Sequence, residues 1–327
     1  EMCIRDRHIS VPFYNSSYSQ HRIDTNMRKD TISLFVFFIA ACIVFTPCQA
    51  KSKAKHVILI GLDGWGSYSV PKADIPNIKQ LMANGSYTLE KRSALPSSSA
   101  INWASMFMGA GPELHGYTEW GSKTPELPSR ILNKHGIFPT IFQLLREARP
   151  KAEIGCLYEW NGIKYLVDTL ALNHYAQAPN YKEYPEALCN MAETYIKEKQ
   201  PTLLAVCFDN PDHIGHQKGH DTPEYYAKLK ELDMYIGRII HAVEEAGILK
   251  ETIFIITADH GGINKGHGGK TMQEMQTPFI ISGKNVKKGM EFHESMMQYD
   301  VASTIAYIFG LQQPQVWIGR PMTQVFK

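Results

Sequence analysis

The sequence predicts an α/β fold, with a doubly wound, mostly parallel sheet flanked by helices. Short runs of β-branched and other apolar residues alternate with longer helical patterns, which is typical of βαβ units. Three apolar runs are followed by acidic or imidazole side chains, and ligands of open α/β sheets bind beyond the carboxyl ends of the strands. The 44% hydrophobic and 20% charged composition allows a sizeable core and excludes a disordered chain.

The near-neutral net charge limits which binding partners the protein can attract through its overall charge. The 34 Lys and Arg residues against 32 Asp and Glu residues give a formal net charge of +2 over 327 residues. A polybasic protein that binds nucleic acid or membranes through its bulk charge is therefore excluded, and we expect no binding to a nucleic-acid polymer.

The first 50 residues do not fit the predicted fold. Met27-Arg28-Lys29 is a short basic start, and Leu34 to Phe45 is an apolar run of twelve residues, shorter than the ~20 that a spanning helix needs. We expect a signal peptide over residues 27–50, export to the periplasm or beyond, and no transmembrane segment in the mature chain. A lipid anchor at Cys42 ranks second. Residues 1–26 resemble a translated sequencing-library adapter, and we expect them to be a non-native leader.

The remaining residues, 51–327, are predicted to form one domain with a small cap insertion at roughly 111–200. The apolar β-branched runs predict strands over residues 56–60, 202–208, 252–257 and 278–281. Helical spacing, ended in three cases by glycine, predicts helices over residues 76–84, 141–148, 223–246 and 301–309. Three widely spaced cysteines in this domain indicate no disulfide framework, and we expect them to be small buried hydrophobes.

The side chains that follow the strands form a set typical of a metal site. Three aspartates and three histidines are placed at strand ends or in a glycine-rich loop: Asp63, Asp212, His216, Asp259, His260 and His267. A mixed set of nitrogen and oxygen ligands favours zinc over magnesium or calcium. Two ions about 4 Å apart are an established arrangement for phosphoryl transfer.

Such a site needs a nucleophile. A serine triplet, Ser97-Ser98-Ser99, precedes a helical stretch that extends to Met108. A hydroxyl there gains from the helix amino terminus, which favours the anionic oxygens of a phosphate.

Together these motifs resemble the alkaline phosphatase superfamily, and within it the type I phosphodiesterase and nucleotide pyrophosphatase branch. The resemblance covers essentially all of residues 56–327. It is carried by the first strand with Asp63, by Pro96 to Gly116, by Asp212 to His216, by Asp259-His260-Gly261 and by Gly266-His267-Gly268. The segments Asp300 to Ala306 and Gly319-Arg320 are also similar to the last helix and tail of the family.

The resemblance implies a role for each residue. Ser99 takes the position of the nucleophilic threonine, and Asn102 that of an asparagine that donates to a non-bridging phosphate oxygen. Asp63, Ser99, Asp259 and His260 would bind one zinc ion, and Asp212, His216 and His267 the other. The implied reaction is attack by Ser99 on a small-molecule phosphodiester, a covalent phosphoserine, and hydrolysis by water activated on the second zinc.

The sequence departs from the pattern of the branch at three positions. Serine replaces threonine at the nucleophile, and Ala100 stands where nucleotide pyrophosphatases carry a phenylalanine that stacks on the base. His220 ends a Gly-x-x-x-Gly-His segment where proline is usual. For the substrate pocket we expect aromatic lining from Trp103, Tyr158 and Trp160, with Trp120 as a further candidate.

Three other functions remain open at this point. A phosphomonoesterase of the same superfamily is disfavoured because Gly155 to Gly162 lacks the Lys-x-Arg pair that holds a phosphate dianion. A sulfatase is disfavoured because the region around Ser99 lacks the Cys/Ser-x-Pro-Ser-Arg signature. A non-catalytic exported binding protein would retain six ligands and a nucleophile without using them.

Overall fold

A computed structural model describes residues 52–327, which are organised around one eight-stranded sheet. The strands are β1 (His56–Leu62), β2 (Gly85–Arg92), β3 (Ile154–Tyr158), β4 (His174–Gln177), β5 (Leu203–Phe208), β6 (Thr252–Thr257), β7 (Gln276–Gly283) and β8 (Met290–Glu291). Their order is β4-β3-β5-β1-β6-β7-β2-β8. Only β7 is antiparallel to its neighbours, β6 and β2, so the predicted fold class is confirmed.

The helices cover both faces of the sheet. Those of eight residues or more are α1 (Pro76–Ala83), α2 (Ser99–Met108), α4 (Ile141–Ala148), α5 (Ala187–Lys199), α7 (Pro223–Glu245) and α9 (Asp300–Phe309). Three shorter helices are α3 (Pro112–His115), α6 (Asp212–Lys218) and α8 (Met272–Met275).

Two hydrophobic cores explain why the central strands are apolar throughout. Along β1, Val57 and Leu59 belong to the core under α2, α4 and α9, whereas Ile58 and Ile60 belong to the core under α1, α5 and α7. Alternate side chains of a strand point to opposite faces, and both faces of this sheet are covered by helices. All six residues of β5 and of β6 are accordingly buried.

Most predicted elements agree with the structure to within two residues. Helix α4 and strand β6 have the predicted bounds. Strand β2 was not predicted, because Gly85 was interpreted as the end of a helix and its polar residues gave no apolar run. The predicted strand 278–281 is the middle of the longer β7.

The range 111–200, in which the cap insertion is expected, also contributes to the main sheet. Strands β3 and β4 and helix α5 belong to this range, and β3 pairs with the central strand β5. Irregular chain fills most of residues 116–140.

The expectations for residues 1–50 lie outside the described part of the chain. No helix within residues 52–327 is long and apolar enough to cross a membrane.

Candidate active site

The candidate site lies beyond the carboxyl ends of three adjacent strands. Asp63 directly follows β1, Asp212 begins α6 after β5, and Asp259 and His260 follow β6. Because β5, β1 and β6 are parallel neighbours, these ends meet at one edge of the sheet. The amide of Asp212 donates to the carbonyl of Asp63 at 2.9 Å, which joins the first two ends directly.

One group of side chains contains Asp63, Asp259 and His260, with one potential ligand atom from each within 4.8 Å of the others. His260 Nε2 lies 3.3 Å from Asp63 Oδ1 and 3.4 Å from Asp259 Oδ2. Ser99 Oγ lies 3.2 Å from His260 Nε2 and 3.5 Å from Asp63 Oδ1. The structure therefore brings together the four residues expected to share one ion.

A second group is centred on Asp212. Its Oδ2 lies 3.0 Å from His216 Nε2 and 3.8 Å from His267 Nε2. Asp212, His260 and His267 each place one potential ligand atom within 4.8 Å of the others. The rings of His260 and His267 stack at 3.9 Å, so the two groups are in direct contact.

The three histidines share one hydrogen-bonding pattern. Nδ1 lies 2.7 Å from the Gly261 carbonyl in His260, 2.9 Å from the Lys265 carbonyl in His216 and 3.1 Å from the Ser97 carbonyl in His267. A carbonyl accepts only, so Nδ1 carries a proton in each ring, and Nε2 presents a lone pair to the carboxylates when that ring is neutral. Lone pairs that face carboxylates are stabilised by a cation between them.

Burial and charge repulsion raise the pKa values of two carboxylates in this site, Asp63 and Asp259. The pKa of Asp63 is raised well above its usual value by burial and by the nearby charges of Asp259 and Asp212. Burial, with a further contribution from Asp212, raises the pKa of Asp259 to about 7. Asp259 Oδ2 and Asp212 Oδ1 are buried and have no hydrogen-bond partner within residues 52–327. Unpartnered buried oxygens among imidazole lone pairs suit one or more metal ions.

The same surroundings shift the pKa values of two imidazoles in the site, those of His267 and His216. Burial, followed by the proximity of His260, lowers the pKa of His267 to about 4, so this ring is neutral near pH 7. Contact with Asp212 raises the pKa of His216 to about 9. Burial opposes ionisation of Asp212, but its contacts with His216 and His220 outweigh that effect and lower its pKa.

Ser99 is held at the amino terminus of α2 by the loop before it. Ser98 is the N-cap residue and makes no side-chain capping bond, and Ser99 is the first residue of the helix. Ser97 Oγ donates to the Gly269 carbonyl at 2.6 Å, and Ser98 Oγ lies 3.4 Å from His267 Nδ1. Of the three serines, Ser99 is the one whose hydroxyl contacts the group of Asp63 and His260.

Asn102 does not present a free amide to the site, which corrects its expected role as a phosphate donor. The side chain is fully buried, and Nδ2 lies 3.0 to 3.1 Å from the carbonyls of Ala94, Pro96 and Ser98. Oδ1 accepts from the Ala94 amide at 2.6 Å. The side chain therefore ties the serine loop to α2.

A buried lysine and a buried glutamine connect α2 to the strand end before Asp259 by hydrogen bonds. Gln298 Nε2 donates to the Asn102 carbonyl at 3.1 Å and to the Ala258 carbonyl at 3.2 Å. Lys91 Nζ donates to the same Ala258 carbonyl and to the Gln298 side chain, and burial lowers its pKa to about 7. Helix α2, which begins at Ser99, and the strand end that carries Asp259 are thus joined by one hydrogen-bonded network.

Two of the three aromatic residues expected to line a pocket are instead buried. Trp103 is 1% exposed, and its Nε1 donates to Asp63 Oδ2 at 3.1 Å. Its ring lies over Gly61, where a Cβ atom would come within 2.2 Å. Tyr158 is 3% exposed within the core, and Trp160 is half-buried. Trp103 therefore orients the Asp63 carboxylate and does not form a substrate surface.

Trp120 is an exposed aromatic residue beside helix α2. Its carbonyl accepts from the Ala100 amide at 3.1 Å, so the residue after Ser99 is attached to the segment of Trp120. The Trp120 side chain is 69% exposed, whereas Ala100 is fully buried. Trp120 was a further candidate for the pocket in the sequence; it lies 21 positions after Ser99, and a loop brings the two segments together.

His220, which replaces the usual proline, lies behind Asp212. Its ring is fully buried between Gly215 and Gly262, where a Cβ atom would come within 2.5 and 2.3 Å of it. Nε2 lies 3.3 Å from Asp212 Oδ1, and Nδ1 lies 3.2 Å from the Asn264 carbonyl. His220 therefore contacts the Asp212 oxygen that faces away from His216.

Comparison with known proteins agrees with this geometry. A family model for type I phosphodiesterase / nucleotide pyrophosphatase matches residues 57–143 and 150–272, more than half of the chain. The chain belongs to this family. Membership of this family was expected from the motifs, and that expectation is confirmed.

The curated relatives are longer than this chain. The chain is 24% identical over 225 residues to bis(5'-adenosyl)-triphosphatase enpp4 of Mus musculus, which covers 65% of this chain and 48% of that protein. It is 28% identical over 133 residues to GPI ethanolamine phosphate transferase 2 of Aspergillus fumigatus, which covers 36% of this chain and 17% of that protein. The aligned region is thus less than half the length of either relative.

Solved structures share the fold. Murine ectonucleotide pyrophosphatase/phosphodiesterase 5, in complex with AMP, superposes with a TM-score of 0.70 at 14% identity, covering 84% of this chain and 100% of that chain. A 2-O GAG sulfatase superposes with a TM-score of 0.67 at 15% identity, covering 84% of this chain and 74% of that chain. At such identities the likeness concerns the alkaline-phosphatase-like fold.

Proposed function

We propose that this protein is an exported two-zinc phosphodiesterase that cleaves small phosphodiesters through a phosphoserine at Ser99. The observation that carries the proposal is the position of Ser99 Oγ, 3.2 Å from His260 Nε2 and 3.5 Å from Asp63 Oδ1, at the amino terminus of α2. A nucleophile beside a set of metal ligands is the arrangement that phosphoryl transfer requires.

The residues that would hold the two ions follow from the two groups. Asp63, Ser99, Asp259 and His260 would hold one, and Asp212, His216 and His267 the other. Their nitrogen and oxygen donors, and the unpartnered Asp259 Oδ2, fit zinc. Bound there, zinc supplies Lewis-acid stabilisation of negative charge and favours the deprotonated state of a hydroxyl.

The chain's own groups perform the rest of the reaction. Ser99 Oγ attacks phosphorus, a new P–O bond forms, and the bond to the leaving alcohol breaks, so that a phosphoserine monoester remains. Water then cleaves this ester and returns the proton to Ser99. Ser99 is the first residue of α2, and the dipole at that helix terminus favours the negative charge of phosphate oxygens.

We expect a preference for diesters over monoesters because a phosphate monoester carries a second negative charge. A monoester dianion needs additional cationic partners, because an unmatched charge in a dry site is costly. The segment from Gly155 to Gly162 offers Glu159 in place of a cation, and burial raises the pKa of that carboxyl to about 8. For the second substituent of a diester, the exposed ring of Trp120 offers an aromatic surface next to α2.

The test is a comparison of rates with a metal assay. The wild-type protein should contain close to two zinc ions per chain and should have a higher kcat/KM for bis-p-nitrophenyl phosphate than for p-nitrophenyl phosphate. A monoester preference of tenfold or more, ~1.4 kcal/mol in the transition state, would favour the phosphomonoesterase alternative. Zinc binding without turnover of either substrate would favour the non-catalytic binding protein.

A further inference from the structure

The edge of the sheet opposite the candidate site is strongly basic. Strands β1, β3, β5 and β6 begin at this edge, and the antiparallel β7 ends there, because the site occupies the other ends of the same strands. Eight cationic residues lie on the segments that enter or leave the sheet here: Lys53, Lys55, Arg149, Lys151, Lys250, Lys284, Lys287 and Lys288. We name this set the basic edge.

Backbone contacts show that these segments are neighbours in space. The Lys55 amide donates to the Glu251 carbonyl at 3.0 Å, and the Lys284 amide donates to the Thr252 carbonyl at 3.0 Å. Asn285 Nδ2 donates to the Lys53 carbonyl at 2.7 Å. On the other side, Lys55, Arg149 and Lys151 line one surface cavity of about 600 Å³ together with His56.

The charge of this edge exceeds that of the whole chain. Its eight cations are opposed on the same segments by two acids, Glu153 and Glu251, which leaves 8 − 2 = +6. The last turns of α5 and α7 add two lysines and three glutamates, 2 − 3 = −1, from Lys197, Glu198, Lys199, Glu244 and Glu245. The edge therefore carries about +5, whereas the formal charge of all 327 residues is +2.

Helix dipoles account for only part of this basic character. Helices α4, α5, α7 and α9 end at the edge, and cations near carboxyl termini stabilise helices. Arg149 serves this role, since its Nη2 donates to the Phe309 carbonyl at the end of α9. Lys151, Lys287 and Lys288 are exposed and form no ion pair within the part of the chain that the structure describes.

The described residues that precede β1 lie beside the basic edge, and in the sequence they closely follow the apolar run of the amino-terminal region. Six residues separate Phe45, the last residue of the run, from Ser52, and these seven steps of the chain span at most about 25 Å when fully extended. The Ser52 side chain donates to the Ile308 carbonyl, which places it beside the basic edge.

We propose that the basic edge docks on an anionic phospholipid surface and directs the active site away from the membrane. Lysines near an anionic leaflet are attracted to it, and the candidate site lies at the opposite ends of the same strands. Docking through the basic edge therefore orients the domain with its substrate opening towards the aqueous phase. The proposal concerns a surface remote from the metal ligands and holds independently of the catalytic one.

The test is vesicle binding by the full chain. Binding to phosphatidylcholine vesicles is compared with binding to vesicles that also contain phosphatidylglycerol, at low and at high salt. The test variant combines Lys151→Glu, Lys287→Glu and Lys288→Glu. The matched control combines Lys182→Glu, Lys218→Glu and Lys270→Glu, which are exposed, make the same change in net charge and lie away from the basic edge.

The wild-type protein and the control variant should bind anionic vesicles more tightly than neutral ones, and salt should weaken that difference. The test variant should lose the difference, with binding to anionic vesicles roughly 100-fold weaker. Equal binding of the wild type to both vesicle types would overturn the proposal, and so would an equal loss in the two variants. Circular dichroism of both variants verifies their folding, and unchanged diesterase activity of the test variant separates this result from the proposed function.

Discussion

The carboxylate of Asp212 and the imidazole of His220 face each other at 3.3 Å, and neither Asp212 Oδ1 nor His220 Nε2 has a hydrogen-bond partner in the described residues. His220 thus packs against a proposed ligand from the side opposite His216. Residues behind a metal ligand hold its orientation, and their loss typically costs 10- to 100-fold in metal affinity.

We therefore expect His220→Ala to weaken zinc binding at the Asp212 group by about 10-fold or more, measured by competition with a chelating dye. His213→Ala is the matched control, because His213 lies on the same helix, is partly exposed and pairs with Gln217. Equal zinc affinity in wild type and His220→Ala would show that Asp212 is oriented without this ring.

Ser99→Ala should lower turnover of bis-p-nitrophenyl phosphate by at least ~100-fold, because no neighbouring hydroxyl takes its place beside Asp63 and His260. Ser98→Ala should remain near wild type, since Ser98 makes no capping bond. Steady-state rates of both variants at matched zinc content provide the measurement. The reverse ranking would identify Ser98 as the nucleophile.

Asn102→Ala should lower the free energy of unfolding by about 2 to 4 kcal/mol, because several buried hydrogen bonds to the serine loop are lost. Urea denaturation measures this change, and turnover should fall with it because Ser99 is no longer held. A large loss of turnover with wild-type stability would restore the role of Asn102 as a direct phosphate donor.

Trp120→Ala should raise KM for bis-p-nitrophenyl phosphate by about 2- to 10-fold, since an aromatic contact is worth roughly 0.5 to 1.5 kcal/mol. The value of kcat should change little, because Trp120 touches the helix of Ser99 through its backbone. Tyr184→Ala serves as control, as Tyr184 is 60% exposed and outside the segments that form the site. An unchanged KM in Trp120→Ala would place the second substituent elsewhere.

Acid should destabilise the protein through His115. The ring is fully buried, accepts from the Tyr117 amide at 3.1 Å and lies 3.0 Å from Ser105 Oγ, and burial lowers its pKa to about 3. The unfolded chain, with a pKa near 6.5, binds the proton more readily. This contribution is therefore complete above pH 6.5 and is lost as the pH falls towards 3.

Between pH 7 and pH 5 the loss from this residue should reach about 2 kcal/mol. Urea denaturation with a chelator present removes any contribution from bound metal. His115→Gln, which retains a donor and an acceptor, should show a smaller decrease than wild type over the same interval. Parallel decreases in the two proteins would contradict the assignment to His115.

Much of the fold was predictable because the central strands are apolar on both sides. A run such as residues 252–257 has no polar face, so its burial between two layers follows from composition and length alone. The polar strand β2 was not predictable in this way. Its place in the sheet is set by pairing with β7, a contact between residues almost 200 positions apart.

The sequence by itself determined which residue types stand at the strand ends, because Asp63, Asp212, Asp259 and His260 directly follow or soon follow apolar runs. Only the tertiary structure decided what surrounds them. Trp103 was expected in a substrate pocket but donates to Asp63, and Asn102 was expected at the phosphate but binds backbone carbonyls. Spacing along the chain fixes neither the direction of a side chain nor its distant partners. The packing of α2 on the sheet and the return of the loop at Trp120 decide both.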